Sequence, residues 1–264
     1  MKIVVCIKQV PDTVEVKIDP KTGTLIRDGV PSIINPDDKT GIEAALQLKE
    51  KMAGSTVTVV SMGPPQADVA LREALAMGCD EAILVSGREF GGSDTYATSG
   101  ILAAALKTLE YDIIITGRQA IDGDTAQVGP QIGEKIGVPQ VSYVEEIREV
   151  AEDHVVVKRQ FEDGYHIIKI KTPCLLTAIA ELAQPRYMSV RGVVEAYEKE
   201  IKILGFEDLK DNLELDMIGL KGSPTNVYQS FTKEVKGAGT ILKDLSAEQA
   251  VKAIVDKLEE KFII

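Results

Sequence analysis

Histidine, cysteine and tryptophan are scarce: the chain of 264 residues has two histidines, three cysteines and no tryptophan. Cys6, Cys79 and Cys174 are odd in number, far apart and outside any CxxC pair, which argues against a disulfide framework and a zinc site. His154 and His166 belong to no metal-ligand cluster and to no Ser/His/Asp or Cys/His arrangement. We therefore expect no metal ion and no catalytic residue for acyl, phosphoryl or glycosyl transfer.

Basic surface and long apolar runs are also missing. A formal net charge of -11 lacks the positive footprint of a nucleic-acid-binding protein, and anionic lipid would repel it. No stretch approaches the ~18 apolar residues of a membrane span, and the apolar run in residues 1–8 is too short for a signal peptide. These features predict a soluble, cytoplasmic protein that neither binds nucleic acid nor inserts into a membrane.

What the first two-thirds of the chain does contain is an alternation of strand-like and helix-like segments. The predicted strands are apolar and rich in β-branched residues: Lys2–Ile7, Ser55–Ser61, Glu81–Val85, Tyr111–Thr116 and Val138–Ser142. The predicted helices between them are Gly41–Met52, Gln66–Met77, residues 95–109 and Thr125–Ile136. Asn35–Asp38 offers side chains to cap the first of these helices. This alternation predicts an α/β fold with a doubly wound, mostly parallel sheet and helices on both faces.

The pattern changes near residue 143. Strands are predicted at Val155–Gln160, Tyr165–Lys171 and Cys174–Ile179, the first two joined as a hairpin by a turn at residues 162–164. After Pro185 the sequence looks irregular, and Gly219–Gly239 has the glycine content of an extended arm.

The last segment is an amphipathic helix that opens on a capping box, formed by Ser246 and Gln249. Such a helix docks either on its own core or, given the preceding arm, on another subunit. We therefore divide the chain into an α/β domain at residues 1–205 and a C-terminal arm and helix at residues 206–264.

The loop Gly117–Pro130 is the first candidate for a binding site, because it follows an apolar strand and opens a helix, where open parallel sheets bind ligands. Its amides at residues 125–128, with the side chains of Thr125 and Gln127, would face a phosphate group. A second interpretation is that Asp124 or Thr125 only caps the helix. Asp122 and Asp124 would also repel a diphosphate, so the spacing alone leaves binding and capping open.

A second loop, Gly91–Ser99, also joins a strand to a helix and should lie at the same edge of the sheet. It carries hydroxyl groups that can bind a ligand or simply cap and back-bond within the helix: Ser93, Thr95, Thr98 and Ser99. Cys6 and Met62 stand at the ends of the first two strands, where we expect only van der Waals or backbone contact with an adenine or ribose. P-loop and GxGxxG fingerprints are absent.

Several motifs resemble those of electron-transfer flavoprotein beta subunits, in one order along nearly the whole chain. They are Asn35-Pro36, Ala74–Gly78, Gly117–Asp122, Val157–Gly164, Thr172–Thr177 and Gln184–Val190. Two positions depart from the family pattern. His166 stands where the family has Glu or Gln. Val190 replaces an anchoring leucine, a loss of about one methylene or ~0.8 kcal/mol of buried apolar contact.

The resemblance implies an adenine-nucleotide-binding, Rossmann-like fold and a heterodimer with an alpha subunit that holds an FAD. In this family the beta subunit binds either a structural AMP or, in bifurcating members, a second FAD. The implied nucleotide contacts are Cys6, Asn35, Pro36, Asp37, Asp38, Met62, Ala120, Ile121, Asp122, Gly123, Asp124, Thr125, Ala126, Gln127, Val128, Gly129, Pro130 and Gln131. The implied contacts with an acyl-CoA dehydrogenase are Pro185, Arg186, Tyr187, Met188 and Val190.

The choice between FAD and AMP depends on the two loops. Asp94–Ser99 and Gly123–Pro130 look like the versions in FAD-binding members, which adds Thr95 and Thr98 to the expected contacts. The resemblance then implies that NADH reduces this flavin, that one electron passes to the alpha-subunit flavin and an acyl-CoA dehydrogenase, and that the other passes to ferredoxin or flavodoxin.

Three alternatives remain. The first is a beta subunit with structural AMP. The second is an ATP-cleaving enzyme of the related fold, which would want a Ser-Gly-Gly loop where this chain has Lys8–Pro11. The third is a pure interaction protein whose loops merely cap helices.

Overall fold

The computed structural model describes residues 1–12, 31–225, 228, 237 and 239–264. The strands of this part of the chain are β1 (Lys2–Ile7), β2 (Gln9–Pro11), β3 (Ser32–Ile34), β4 (Thr56–Met62), β5 (Glu81–Val85), β6 (Ile113–Gly117), β7 (Gln140–Val150), β8 (His154–Phe161), β9 (Gly164–Lys171), β10 (Cys174–Ala178) and β11 (Ile201–Leu204). The helices are α1 (Pro36–Lys51), α2 (Asp68–Met77), α3 (Thr95–Leu106), α4 (Val128–Ile136), α5 (Val190–Glu198), α6 (Phe206–Leu209) and α7 (Ala247–Glu260).

A nine-stranded sheet organises the fold, in the order β11-β5-β4-β1-β6-β10-β7-β8-β9. All pairs from β11 to β7 are parallel, and the β7–β8 and β8–β9 pairs are antiparallel. The chain runs from β1 outward to β4 and β5, then returns to β6 on the other side of β1. The direction of winding therefore reverses between β1 and β6. The predicted doubly wound, mostly parallel sheet and its hairpin are confirmed.

Each face of the sheet carries its own layer of helices and its own buried cluster. Because side chains alternate along a strand, Ile3, Val5 and Ile7 pack with α1 and α2, whereas Val4 and Cys6 pack with α3 and α4 on the opposite face. Both sets of residues are buried. Burial on both faces explains why the strands read as continuous apolar runs in the sequence.

Two helix starts differ from the prediction. Helix α1 begins at Pro36 rather than Gly41, because proline at the first helical position already has a suitable φ angle. Helix α4 begins at Val128 rather than Thr125, because Asp124 and Ala126 adopt left-handed φ angles of 49° and 53°. Residues 124–126 therefore form an irregular turn before the helix.

Helix α5 and strand β11 lie where the sequence looked irregular, so that expectation was wrong. Strand β11 pairs with the edge strand β5. The Ser189 hydroxyl caps α5 by accepting from the Gly192 N–H at 2.9 Å. A Cβ atom on Gly192 would lie 2.4 Å from the Ala76 carbonyl oxygen, so only glycine allows this approach of α5 to α2. Arg72 holds the C-terminal end of α5 by donating to the carbonyls of Ala196 and Lys199, both at 2.6 Å.

The chain separates into two compact units, Met1–Tyr228 and Gln229–Ile264. Leu209, Leu213 and Ile218 belong to the buried cluster of the first unit, although they follow residue 205. The functional division at residue 205 stays a prediction. The expected arm, Gly219–Gly239, falls partly outside the described residues.

The second unit contains α7, whose predicted Ser246–Gln249 capping box is confirmed. Within the described ranges, no helix has the length and apolar character needed to cross a membrane.

Candidate functional site

A cleft of about 840 Å³ opens at the carboxyl ends of β1, β4, β5 and β6. This volume lies in the upper part of the ~300–1,000 Å³ range of small-molecule sites. Neighbouring strands lie ~4.8 Å apart, so four of them span roughly 14 Å. The cleft includes the point between β1 and β6 where the winding reverses, which is where open α/β sheets bind their ligands.

Many of the predicted contact residues meet in this cleft. They come from both predicted loops and from the ends of the first two strands, so the expectation that the loops share one edge is confirmed. The predicted residues that line the cleft are Cys6, Asp38, Met62, Thr95, Thr98, Ala120, Gly123, Thr125, Ala126, Gln127, Val128 and Gly129.

The other predicted residues do not line the cleft: Asn35, Pro36, Asp37, Ile121, Asp122, Asp124, Pro130 and Gln131. Pro36 and Asp37 open α1, and Pro130 and Gln131 lie in the first turns of α4. The side chain of Ile121 is exposed.

Asn35 holds the loop after β6 and does not cap α1, so the capping expectation was wrong. Its side chain is fully buried; its Oδ1 accepts from the Ile121 N–H at 3.0 Å and its Nδ2 donates to the Gln119 carbonyl at 2.8 Å. Both bonds join residues more than 80 positions apart in the chain. Asn35 therefore fixes the path of the loop that forms one wall of the cleft.

Asp38 joins the ends of the two central strands. Its carboxylate accepts from the Lys8 N–H at 2.7 Å and from the Gly117 N–H at 2.9 Å. Burial raises the pKa of Asp38 to about 7, although these amide bonds and Asn35 oppose the change. Burial, and to a smaller degree Asp38, raises the pKa of the neighbouring Cys6 thiol to about 12. Cys6 is therefore a neutral packing group at neutral pH.

Two carboxylates of the loop after β6 have partners within the chain, and the partner of Asp122 is a cation. Lys8 Nζ lies 2.6 and 2.9 Å from the two carboxylate oxygens of Asp122, whose side chain is 7% exposed. Asp124 accepts from Gln119 Nε2 at 2.9 Å. The repulsion of a diphosphate that the sequence suggested is thereby reduced. Sequence spacing gave no sign of the Lys8–Asp122 pair, since the two residues are 114 positions apart.

Helices α3 and α4 both begin at the cleft, and they differ in whether a side chain caps their first N–H groups. Asp94 caps α3 by accepting from the Ala97 N–H at 3.0 Å. At α4, by contrast, the described residues show no cap from the side chain of Gln127. Val128 and Gly129 line the cleft, and as the first residues of the helix they carry N–H groups without intrahelical partners. The start of α4 is therefore suited to an anion.

The hydroxyl groups of the first loop make bonds within the protein as well as lining the cleft. Thr95 Oγ1 donates to Gln127 Oε1 at 2.8 Å, which links the two loops directly. Ser99 Oγ lies 2.8 Å from both the Tyr96 carbonyl and Gln131 Oε1, so it back-bonds within its helix. Thr98 faces the cleft.

Several lining residues were missed by the sequence analysis. They are charged, such as Lys8, Arg88 and Arg118, or apolar, such as Phe90, Leu102 and Ile132. Arg88 is exposed at the start of a short 3-10 helix after β5. The Nε atom of Arg118 lies 3.5 Å from Asp37 Oδ2. Their position just after strand ends was the available signal. The residue types alone look like ordinary surface or core.

The segment predicted to dock on a partner protein is partly exposed. Tyr187 is 100% exposed, Met188 is 43% exposed and Val190 is also exposed. Pro185 lines a second, smaller cleft. Arg186 differs from its neighbours because its guanidinium group lies against α1 and pairs with Glu43 and Glu50.

Fold and cleft together define a doubly wound α/β protein with a cleft of small-molecule size where the winding of its sheet reverses. The family model of the electron transfer flavoprotein domain matches residues 22–208. The chain is 57% identical to the electron transfer flavoprotein subunit beta of Clostridium acetobutylicum. It is 53% identical to the caffeyl-CoA reductase-Etf complex subunit CarD of Acetobacterium woodii and 52% identical to the acryloyl-CoA reductase electron transfer subunit gamma of Anaerotignum propionicum.

Each of these alignments covers 100% of this chain and 100% of the relative. The chain therefore belongs to the electron transfer flavoprotein family, and its resemblance to the beta subunits is confirmed.

Proposed function

We propose that this chain holds an FAD in the cleft and serves as the electron-carrying beta subunit of a heterodimer. The heterodimer takes electrons from NADH. It passes one to the alpha-subunit FAD and onward to an acyl-CoA dehydrogenase, and the other to ferredoxin or flavodoxin. The names of two relatives support an acceptor of this kind, since they link those proteins to caffeyl-CoA reductase and acryloyl-CoA reductase.

The proposal of FAD rests on how far the cleft extends along the edge of the sheet. The cleft runs past the ends of four neighbouring strands, and the loops after β5 and after β6 both line it. An FAD consists of an AMP half and a flavin mononucleotide half, so it needs about twice the length that AMP needs. Polar side chains at both ends fit a ligand that reaches from one loop to the other.

The residues present fit such a dinucleotide. The amides that begin α4, with Thr125 and Gln127, suit its diphosphate, because a helix N-terminus favours an anion by ~0.3–1 kcal/mol. Thr95 and Thr98 line the same cleft, and their hydroxyl groups would bond to those of the ribityl chain. Leu102, among other apolar side chains, excludes water from the wall.

When bound, the flavin supplies the redox chemistry: it accepts a hydride and releases electrons singly. The contributions of the chain itself are position, electrostatics and access. Lys8 removes the charge of Asp122 from the neighbourhood of the diphosphate, and Asn35 keeps the loop after β6 in place.

Counting nucleotides separates this proposal from a structural AMP. The chain is purified with its alpha subunit, the heterodimer is denatured, and released flavin and AMP are quantified. Two flavins per heterodimer support the proposal. One flavin and one AMP would contradict it and leave this chain a scaffold. ATP hydrolysis by the chain alone would instead favour an enzyme.

Thr125→Asp tests the location of the diphosphate. A carboxylate at this exposed lining position should repel it and lower beta-site occupancy about tenfold or more, with the fold intact. Thr108→Asp, at an exposed position beyond α3, adds the same charge outside the cleft and should leave the nucleotide content unchanged, although it removes the hydrogen bond from Thr108 Oγ1 to the Ala105 carbonyl. Equal nucleotide content in Thr125→Asp and the unmodified heterodimer would remove Thr125 from the site.

A further inference from the structure

Arg186 is tied to helix α1 by a set of charged hydrogen bonds. Its backbone N–H and its Nε donate to Glu43 Oε2 at 3.1 and 2.7 Å, and its Nη2 donates to Glu43 Oε1 at 3.0 Å. Its Nη1 donates to Glu50 Oε1 at 2.6 Å. The planar guanidinium fork thus meets two carboxylates at once, a geometry that lysine cannot reproduce.

The pairing of Arg186 with Glu43 is a structural interaction and not a chance contact on the surface. Glu43 is 4% exposed, and it also accepts from Gln47 Nε2 at 3.1 Å. Burial alone would raise the pKa of Glu43, but the hydrogen bonds from Arg186 and Gln47 outweigh it and lower the pKa. The hydrogen bonds of its guanidinium group to Glu43 and Glu50 raise the pKa of Arg186. Removing one partner of such a pair leaves the other as an unpaired, poorly solvated charge.

The exposed tip beside Arg186 is held at both ends. Tyr187 and Met188 follow Arg186 directly, and Ser189 comes next as the cap of α5, accepting from the Gly192 N–H at 2.9 Å. The tip is therefore two residues long between two fixed points. A partner protein that contacts a fixed tip avoids the entropic cost of ordering it, which improves affinity.

Helix α1 also reaches the cleft. Asp38 lines the cleft and Glu43 lies five positions further along the same helix, which corresponds to about 7.5 Å along the helix axis. A tip braced on Glu43 is thus kept at a fixed distance from the cleft by one rigid element. We propose that Arg186 is a positioning residue, which braces Tyr187 and Met188 against α1 and does not itself contact the partner protein.

This inference rests on the proposed function, together with the expectation from the family resemblance that the segment around Tyr187 docks on an acyl-CoA dehydrogenase. The test uses the flavin-loaded heterodimer and measures steady-state electron transfer to that dehydrogenase. Arg186→Gln and Glu43→Gln should each raise the KM for the dehydrogenase about tenfold, with kcat and flavin content unchanged. The double variant should be no worse than either single variant, because both remove the same contact.

Arg191→Gln is the matched control. It removes the same charge five residues away, where Arg191 pairs only with Glu195 on the exposed surface of α5 among the described residues, and it should leave the KM unchanged. A KM that rises in Arg186→Gln but not in Glu43→Gln would overturn the proposal, since Arg186 would then contact the partner directly. An equal rise in Arg191→Gln would also overturn it, in favour of general charge attraction.

Two further variants keep the outcomes distinct. If Arg186→Gln does not assemble, Arg186→Lys takes its place. Lysine keeps the positive charge without the guanidinium fork, so an unchanged KM in that variant would refute the brace.

Tyr187→Ala tests the docking surface itself. An unchanged KM in Tyr187→Ala would count against the docking part of the proposed function, whereas a raised KM there with normal Glu43→Gln kinetics would count against the brace alone.

Discussion

Asp38→Asn is the most informative single change for the cleft. Asp38 is buried where the ends of β1 and β6 meet, and its carboxylate accepts from the N–H groups of Lys8 and Gly117. Asparagine has nearly the same shape and cannot ionise. Its amide oxygen can accept one of the two N–H groups, but its NH2 group cannot accept the other. The variant therefore removes the titration of Asp38, at a cost from the lost acceptor that does not depend on pH.

The sign and size of the effect follow from the pKa of Asp38. Burial raises this pKa from 3.8 to about 7, so the folded chain holds a proton that the unfolded chain has already released. The free energy of unfolding therefore falls as pH rises from 3.8 to about 7, and the loss is complete above that range. At ~1.36 kcal/mol per pKa unit, the loss amounts to about 4 kcal/mol.

Denaturant unfolding of the purified chain at several pH values between 5 and 8 measures this directly. Between pH 5 and pH 8, we expect the stability difference between Asp38→Asn and the wild type to shift in favour of the variant by about 3 kcal/mol, because the folded-state pKa of about 7 lies roughly two units above pH 5 and each unit is worth ~1.36 kcal/mol. Asp112→Asn is the control, because Asp112 also accepts a backbone N–H, from Lys2 at 2.7 Å, but in an exposed setting. A stability difference for Asp38→Asn that stays constant with pH would refute the reasoning.

Two other substitutions test the wall of the cleft. Lys8→Met leaves the Asp122 carboxylate without its cation and should lower the nucleotide content of the purified heterodimer. The double variant Lys8→Met/Asp122→Asn should regain most of that content. Unchanged nucleotide content in Lys8→Met would contradict the role of the pair. Gly129→Ala places a Cβ 2.5 Å from Thr116 Oγ1 and should lower the free energy of unfolding by about 1–3 kcal/mol, measured by thermal denaturation. A Cβ at Gly164 would have no atom within 4 Å, so Gly164→Ala should lower it far less. Equal losses of stability in the two variants would contradict this prediction.

The strands and the edge that carries the cleft could be predicted from sequence because local patterns determine them. The runs at Lys2–Ile7 and Glu81–Val85 are apolar after their first residue and became strands with those bounds. Parallel strands place their carboxyl ends on one edge, so the loops that follow had to converge there. The same argument could not find α5, because only Ala196 of that helix is buried and its stability comes from Ser189, Arg72 and the approach to α2.

The polar partners of the site could not be predicted, because each pair joins distant parts of the chain. Asn35 looked like a helix cap, since asparagine before a helix usually caps it, but its amide reaches the loop after β6 instead. Asp122 looked like an obstacle to a diphosphate until the fold brought Lys8 to it. Sequence periodicity records which face of an element is buried, and it contains no record of which side chain a carboxylate will meet.

These distant contacts converge on helix α1, and this gives the helix a role that its sequence does not suggest. Asn35 and Asp38 at its start hold the loops of the cleft, and Glu43 further along holds Arg186 beside the exposed tip. A single rigid helix therefore anchors both the cleft and the exposed tip. Changes at Glu43 should therefore affect partner binding and leave the cleft intact, and changes at Asp38 should do the reverse.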